Sequence, residues 1–189
     1  MQVFLTSAAL VAAAEIGDKT QLLSFVLAAR LRRPYPIIAG ILAATLFNHT
    51  LAGSVGVWLA KVIPHSLLNW IVALSFIAFG LWTLHPDSLE KDPRVYKAGV
   101  FVTTFIAFFF AEMGDKTQLA TVALAARFDA LAEVVLGTTL GMLIADVPAV
   151  FLGEALAKRI PMRPIRYIAA ILFIALGIAT LFHAFDLTT

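Results

Sequence analysis

The chain has 189 residues, of which 61% are hydrophobic and only 14% charged, and its mean hydropathy is +0.92. Those values exclude an ordinary soluble domain and place the chain in a bilayer. There is no cysteine, which excludes disulfides, thiolate metal ligands and thiol catalysis, and the net charge of +2 comes with basic residues near predicted helix ends, pointing to membrane orientation rather than nucleic-acid binding.

Hydrophobic segments fall at about 3–29, 35–60, 67–85, 98–126, 131–157 and 165–185, each near or above the roughly 20 residues that a helix needs to cross a bilayer. The expected fold is therefore an all-α integral membrane protein with six transmembrane helices. Met1 and Gln2, ahead of the first segment, lack the positive charge of a secretory signal, so the first helix is expected to remain. The first segment contains EIGDKTQLLSFVLAAR, Glu15 to Arg30, and the second carries Asn48 and His49 midway. After the third comes the longest link, HPDSLEKDPRVY from His85 to Tyr96, polar and holding two prolines. The fourth segment contains EMGDKTQLATVALAAR, Glu112 to Arg127, and the fifth holds Asp146.

The two charged signatures agree at 11 of 16 positions. The same offset of 97 residues, without a gap, pairs Gly40 with Gly137, Gly56 with Gly153, Gly80 with Gly177, and Leu59-Ala60-Lys61 with Leu156-Ala157-Lys158. It also pairs Ile63-Pro64 with Ile160-Pro161, Phe76-Ile77-Ala78 with Phe173-Ile174-Ala175, and Thr83-Leu84 with Thr180-Leu181. A register held through three successive helices is the mark of internal duplication rather than shared composition. The chain divides into a first three-helix repeat at 1–86, a linker at 87–97 and a second three-helix repeat at 98–189.

Three helices is an odd number, so a second repeat that folds like the first must enter the membrane from the opposite side. Charge in the connections agrees with inversion: Arg30, Arg32, Arg33, Lys91, Arg94, Lys97, Lys158, Arg159, Arg163 and Arg166 gather on one side, and only Lys61 and Arg127 on the other. The positive-inside rule makes the first side cytoplasmic and puts both termini outside. Inverted repeats around a midplane site are a design of secondary transporters that work by alternating access.

Charged residues in a membrane helix are expensive, at about 2.5–3.5 kcal/mol for an Asp, Lys or Arg near its centre, so six of them in two copies call for a function. On a continuous helix Glu15 and Asp18 share a face, with Lys19 four residues from Glu15, and Glu112, Asp115 and Lys116 repeat the pattern. Gly17 and Gly114 between the carboxylates permit close backbone approach or a local break whose freed carbonyls join a site. Thr20, Gln21, Thr117 and Gln118 add neutral oxygens. Brought together at mid-membrane, four carboxylates among hydroxyl and amide oxygens make a hard-cation site suited to Ca²⁺, Mn²⁺ or Mg²⁺. Such a metal needs deprotonated carboxylates, so metal and protons compete for the same oxygens, as an antiporter requires. The competing reading is that Glu15 with Lys19 and Glu112 with Lys116 are simple helical ion pairs.

Of the other polar residues, Asp146 extends the cation path or bonds between helices, and bonding between helices is the expectation for Asn48 and His49. His49 has the alternative of relaying protons. Glu154 reads as a surface pair with Lys158, the Arg30–Arg33 cluster as a topology anchor, and His65, His85 and His183 as interfacial. Gly40, Gly56, Gly137, Gly141 and Gly153 are expected at close helix contacts, and Phe108, Phe109 and Phe110 in packing or lipid contact, or as a hydrophobic gate.

The motifs EIGDKT, Glu15 to Thr20, and EMGDKT, Glu112 to Thr117, each in the first helix of a three-helix half, resemble the E-x-G-D-K/R-T/S signatures of the small cation exchangers that include the Golgi manganese and calcium transporters of eukaryotes. The resemblance covers essentially the whole chain. It implies export of Mn²⁺, or next Ca²⁺, against protons from a bacterial inner membrane, with Glu15, Asp18, Glu112 and Asp115 binding the metal. Lys19, Lys116, Thr20 and Thr117 enter as motif members. Expected partners are the divalent cation, protons and lipid, with no nucleic acid and no resident cofactor; oligomeric state, counter-ion stoichiometry and the choice of Mn²⁺ or Ca²⁺ are not legible. The alternative is a divalent cation channel, which places its carboxylates as rings about a pore. An enzyme is not expected, since the chain has no His-Glu-x-x-His pair, Gly-x-Ser-x-Gly elbow or Walker loop.

Overall fold

A computed structural model describes residues 1–85, 96–152 and 162–186. Among them the chain is all-helical: α1 Gln2–Glu15, α2 Lys19–Leu31, α3 Pro34–Val62, α4 His65–Thr83, α5 Val100–Glu112, α6 Lys116–Phe128, α7 Leu131–Leu152 and α8 Met162–Asp186. The linker predicted at 87–97, apart from Tyr96 and Lys97, lies outside the described residues, as do Gly153, Glu154, Lys158, Arg159 and the side chain of His183.

Four of the six expected spans are single helices long and apolar enough to cross a membrane: Pro34–Val62, His65–Thr83, Leu131–Phe151 and Pro164–Phe182. The other two are corrected by the structure. The segments at 3–29 and 98–126 are each broken into two helices, α1 with α2 and α5 with α6, and the break falls inside each charged motif. Gly17 at φ 87° and Gly114 at φ 77° occupy the left-handed region, which glycine alone enters without steric penalty. Ile16 and Met113 before them are extended, and so are Asp18 and Asp115 after them. A half-helix of 13 or 14 residues covers about 20 Å at 1.5 Å per residue, short of the hydrocarbon core of a bilayer.

The duplication reaches the backbone and the packing. Arg32 and Asp129, 97 residues apart, both end their helices with positive φ, at 53° and 46°. The helix α3 packs on α5 and α6, α7 packs on α1 and α2, and α4 lies along α8, so each half is built largely against the other. A Cβ on Gly40 would meet the Phe101 carbonyl oxygen at 2.9 Å and Thr104 Cβ at 2.7 Å; one on Gly137 would meet the Phe4 carbonyl oxygen at 2.5 Å and Ser7 Cβ at 2.9 Å. Phe4 and Ser7 correspond to Phe101 and Thr104 under the same offset, so the close contact is made twice with the halves exchanged. Gly80 against Ala170 and Ile174, and Gly177 against Ala73 and Ile77, repeat the exchange between α4 and α8.

Burial differs from that of a soluble protein in its exposed large apolar side chains and its buried charges. Phe47, Trp58, Leu74, Phe110, Phe151, Ile171 and Phe182 are exposed, whereas Glu15, Thr20, Asn48, His49, Glu112, Thr117 and Asp146 are buried. An apolar exterior around an interior that also buries charged and polar side chains suits lipid as the solvent. One apolar core joins α1, α4, α6 and α8 through Leu10, Ala14, Phe76, Phe79, Leu124 and Phe173; a second joins α2, α3 and α5 through Leu23, Leu27, Ile37, Ile41 and Phe108. Phe108 is thus a core residue and Phe110 points outward, which fits packing rather than a three-residue gate.

Candidate cation site

Each break ends one short helix on a glutamate and begins the next behind an aspartate. Glu15 closes α1 and Glu112 closes α5, where the carbonyl ends of the helices favour a cation. Asp18 and Asp115 are the N-caps of α2 and α6, where backbone N–H groups favour an anion, and Asp115 Oδ1 accepts from the Lys116 N–H at 2.7 Å. The motif residues that follow hold the break in shape. The Gly17 N–H donates to Gln21 Oε1 at 2.9 Å and the Gly114 N–H to Gln118 Oε1 at 2.7 Å. The Thr20 hydroxyl donates to Glu15 Oε2, and the Thr117 hydroxyl to Glu112 Oε2 at 2.9 Å.

The helical pairings Glu15–Lys19 and Glu112–Lys116 rest on a continuous helix, which the glycine breaks remove; residues four apart across a break no longer share a face. The lysines cross between the repeats instead. Lys116 Nζ lies 2.6 Å from Asp18 Oδ1, and Lys19 Nζ lies 3.0 Å from Asp115 Oδ2. Lys116 Nζ is also 4.0 Å from Asp115 Oδ1. These crossed pairs bring both motifs to one buried place. The four carboxylates are all buried, and Oε1 of Glu15 and Oε1 of Glu112 have no hydrogen-bond partner there. Among the described residues no group of three or more Asp, Glu or His side chains is arranged to hold a metal ion. In this conformation the aspartates face ammonium groups rather than converging on one point.

Asp146 joins this region from α7. Its Oδ1 accepts from the Ser24 hydroxyl at 3.1 Å, its Oδ2 has no hydrogen-bond partner, and the neighbouring Ala145 carbonyl accepts from Gln21 Nε2 at 3.0 Å. Pro148 lacks the N–H that would bond the Ile144 carbonyl, which loosens α7 at this turn. Asn48 Nδ2 donates to the Phe109 carbonyl at 3.1 Å, an interhelical bond of the expected kind. His49, at the position matching Asp146, is buried with neither ring nitrogen hydrogen-bonded. Ser24 is not among the residues that the sequence motifs single out; its counterpart under the repeat, Thr121, also carries a hydroxyl, and a hydroxyl kept in both copies is the signal that marks it. His65, His85 and the arginines Arg30, Arg32 and Arg33 are exposed.

No solved structure matches the chain. It is 49% identical over 183 residues to a candidate manganese exporter of Vibrio cholerae, covering 96% of this chain and 92% of that protein. It is 31% identical over 188 residues to a GDT1-like protein of Synechocystis, covering 87% and 89%, and 29% identical over 225 residues to GDT1-like protein 5 of Arabidopsis thaliana, covering 98% of each. Residues 3–91 and 100–188 each match the family model described as divalent cation/proton antiporter GDT1. With nearly the whole chain matched, in two pieces that each contain one charged motif, this protein belongs to the GDT1 family of divalent cation/proton antiporters.

Proposed function

We propose that this protein exports Mn²⁺ in exchange for protons by alternating access, with Glu15, Asp18, Glu112 and Asp115 forming the cation site. The observation that carries the reading is the meeting of two matching broken-helix motifs at one buried place, joined by crossed ion pairs. Manganese is favoured over Ca²⁺ by the Vibrio relative. The glutamates, at helix C-termini with one oxygen each unpartnered, are where an arriving cation or proton gains most. Thr20, Gln21, Thr117 and Gln118 support the glutamates and the breaks, and Asp146 supplies a further carboxylate beside α2.

In this reading the halves at 1–86 and 98–189, joined by a linker at 87–97, are inverted repeats with six spans, two of them discontinuous. Both termini lie outside the cytoplasmic face of the inner membrane. The exchanged glycine contacts support the two-fold relation. The uneven position of α4 and α8, which pack on α6 and α1, supports alternating access. Exchanging the roles of the halves would bring α4 and α8 against α2 and α5 and open the site to the other side.

The test is metal flux into proteoliposomes under an imposed pH gradient, with Mn²⁺, Ca²⁺ and Mg²⁺ compared. Uphill movement of Mn²⁺ that collapses with the gradient is expected. Because protons occupy the same oxygens, the KM for Mn²⁺ on the loading side rises as pH falls. Strictly downhill flux, indifferent to the gradient, would establish the channel alternative instead.

A further inference from the structure

Both aspartates of the site are already matched by a cation the protein supplies. The pairs are crossed, Lys116 of the second repeat to Asp18 of the first and Lys19 of the first to Asp115 of the second, and the offset of 97 converts one pair into the other. Neither is an accident of one surface side chain. The Asp18 and Asp115 carboxylates are 4% and 2% exposed, and the Lys116 side chain is 3% exposed. A divalent cation that takes an oxygen from either aspartate has to meet an ammonium already there, since two cations a few ångströms apart in a low-dielectric interior repel strongly.

We propose that Lys19 and Lys116 are tethered counter-cations that occupy Asp18 and Asp115 when no metal is bound and are displaced by the transported metal. The inference rests on the cation-site reading given above. The lysines keep their charge; the ammonium moves, and no proton transfer is involved. Two properties of an exchanger follow. The metal-free carrier can reorient without leaving bare buried carboxylates, and affinity is held low enough for release, because binding must break an ion pair. The two lysines differ in access, Lys19 being 25% exposed at its side chain and its pair longer, at 3.0 Å against 2.6 Å. Metal therefore displaces Lys19 from Asp115 first in this conformation.

The experiment uses the full-length protein in detergent and in proteoliposomes. Equilibrium binding of Mn²⁺ is compared for wild type, Lys19→Gln, Lys116→Gln and Lys116→Arg, each required to elute as a single species. Removing the competing ammonium is expected to tighten Mn²⁺ binding about tenfold in the glutamine variants while lowering the maximal exchange rate, with Lys116→Arg staying within about twofold of wild type. Equal or weaker binding in folded glutamine variants would overturn the proposal, because lysines that only shape the site lower affinity when removed. Should those variants not fold, labelling of wild-type Lys19 by an amine-reactive reagent decides by mass spectrometry. Mn²⁺ is expected to increase its modification several-fold, and no increase in protein that does bind Mn²⁺ sinks the displacement alone. Wild-type protein that binds no Mn²⁺ would sink the cation-site reading together with it.

Discussion

Lys116 and Asp18, 98 positions apart in sequence and in different repeats, form a buried ion pair of 2.6 Å. Breaking a buried pair from one side leaves an uncompensated charge, which costs about 3–5 kcal/mol. Asp18→Asn is expected to abolish metal transport and to lower thermal stability in detergent measurably, with the protein still inserted and folded. Asp115→Asn should abolish transport with a smaller loss of stability, since its partner Lys19 is a quarter exposed and can be hydrated. Flux and unfolding temperature, measured on both variants, check the order; equal stability losses would contradict the difference in burial.

The glutamates make a cleaner functional test, because they pair with threonine hydroxyls rather than with lysines. Glu112→Gln keeps an oxygen for the Thr117 hydroxyl and removes the charge. Folding should survive while exchange falls to the background of empty liposomes, and Glu15→Gln should behave alike. Substantial Mn²⁺ exchange in either variant would remove that glutamate from the site.

The break at Gly114 can be tested without a clash, since a Cβ there meets nothing within 4 Å. Only the positive φ of 77° opposes alanine, at about 1–2 kcal/mol. Gly114→Ala is therefore expected to fold with slightly reduced stability, and to raise the KM for Mn²⁺ as the motif shifts toward continuous helix. A variant with unchanged KM would mean that the shape of the break does not matter to the site.

At Gly56 the reason for glycine is different: a Cβ would overlap the Val122 carbonyl oxygen and lie 3.0 Å from the Ala126 nitrogen, both backbone atoms of α6. Backbone cannot step aside as a side chain can, so Gly56→Ala should cost about 1–3 kcal/mol by forcing α3 from α6. Gly53→Ala meets the Leu131 and Val135 side chains instead and should cost less. Unfolding temperatures of the pair give the comparison.

The chain by itself determined its solvent, its duplication and the residue types of the candidate site. Those follow from composition and from a register that persists through Glu15 and Glu112, Gly40 and Gly137, Gly80 and Gly177. The largely apolar segments of about 19 to 29 residues are a one-dimensional signal, and hydropathy reads it directly. Hydropathy does not register a reversal of φ at a single glycine: Gly17 and Gly114 permitted either close backbone approach or a local break, and the fold realises the break in both spans. For the same reason the competing reading paired Lys19 and Lys116 locally with Glu15 and Glu112. Helical spacing can rank only neighbours on one helix, whereas the pairs Lys116–Asp18 and Lys19–Asp115 and the bond from Ser24 to Asp146 depend on which helices the fold brings together. Tertiary packing of one half on the other decided those contacts, because a buried charge takes its partner from whatever shares its low-dielectric surroundings and not from its place in the chain.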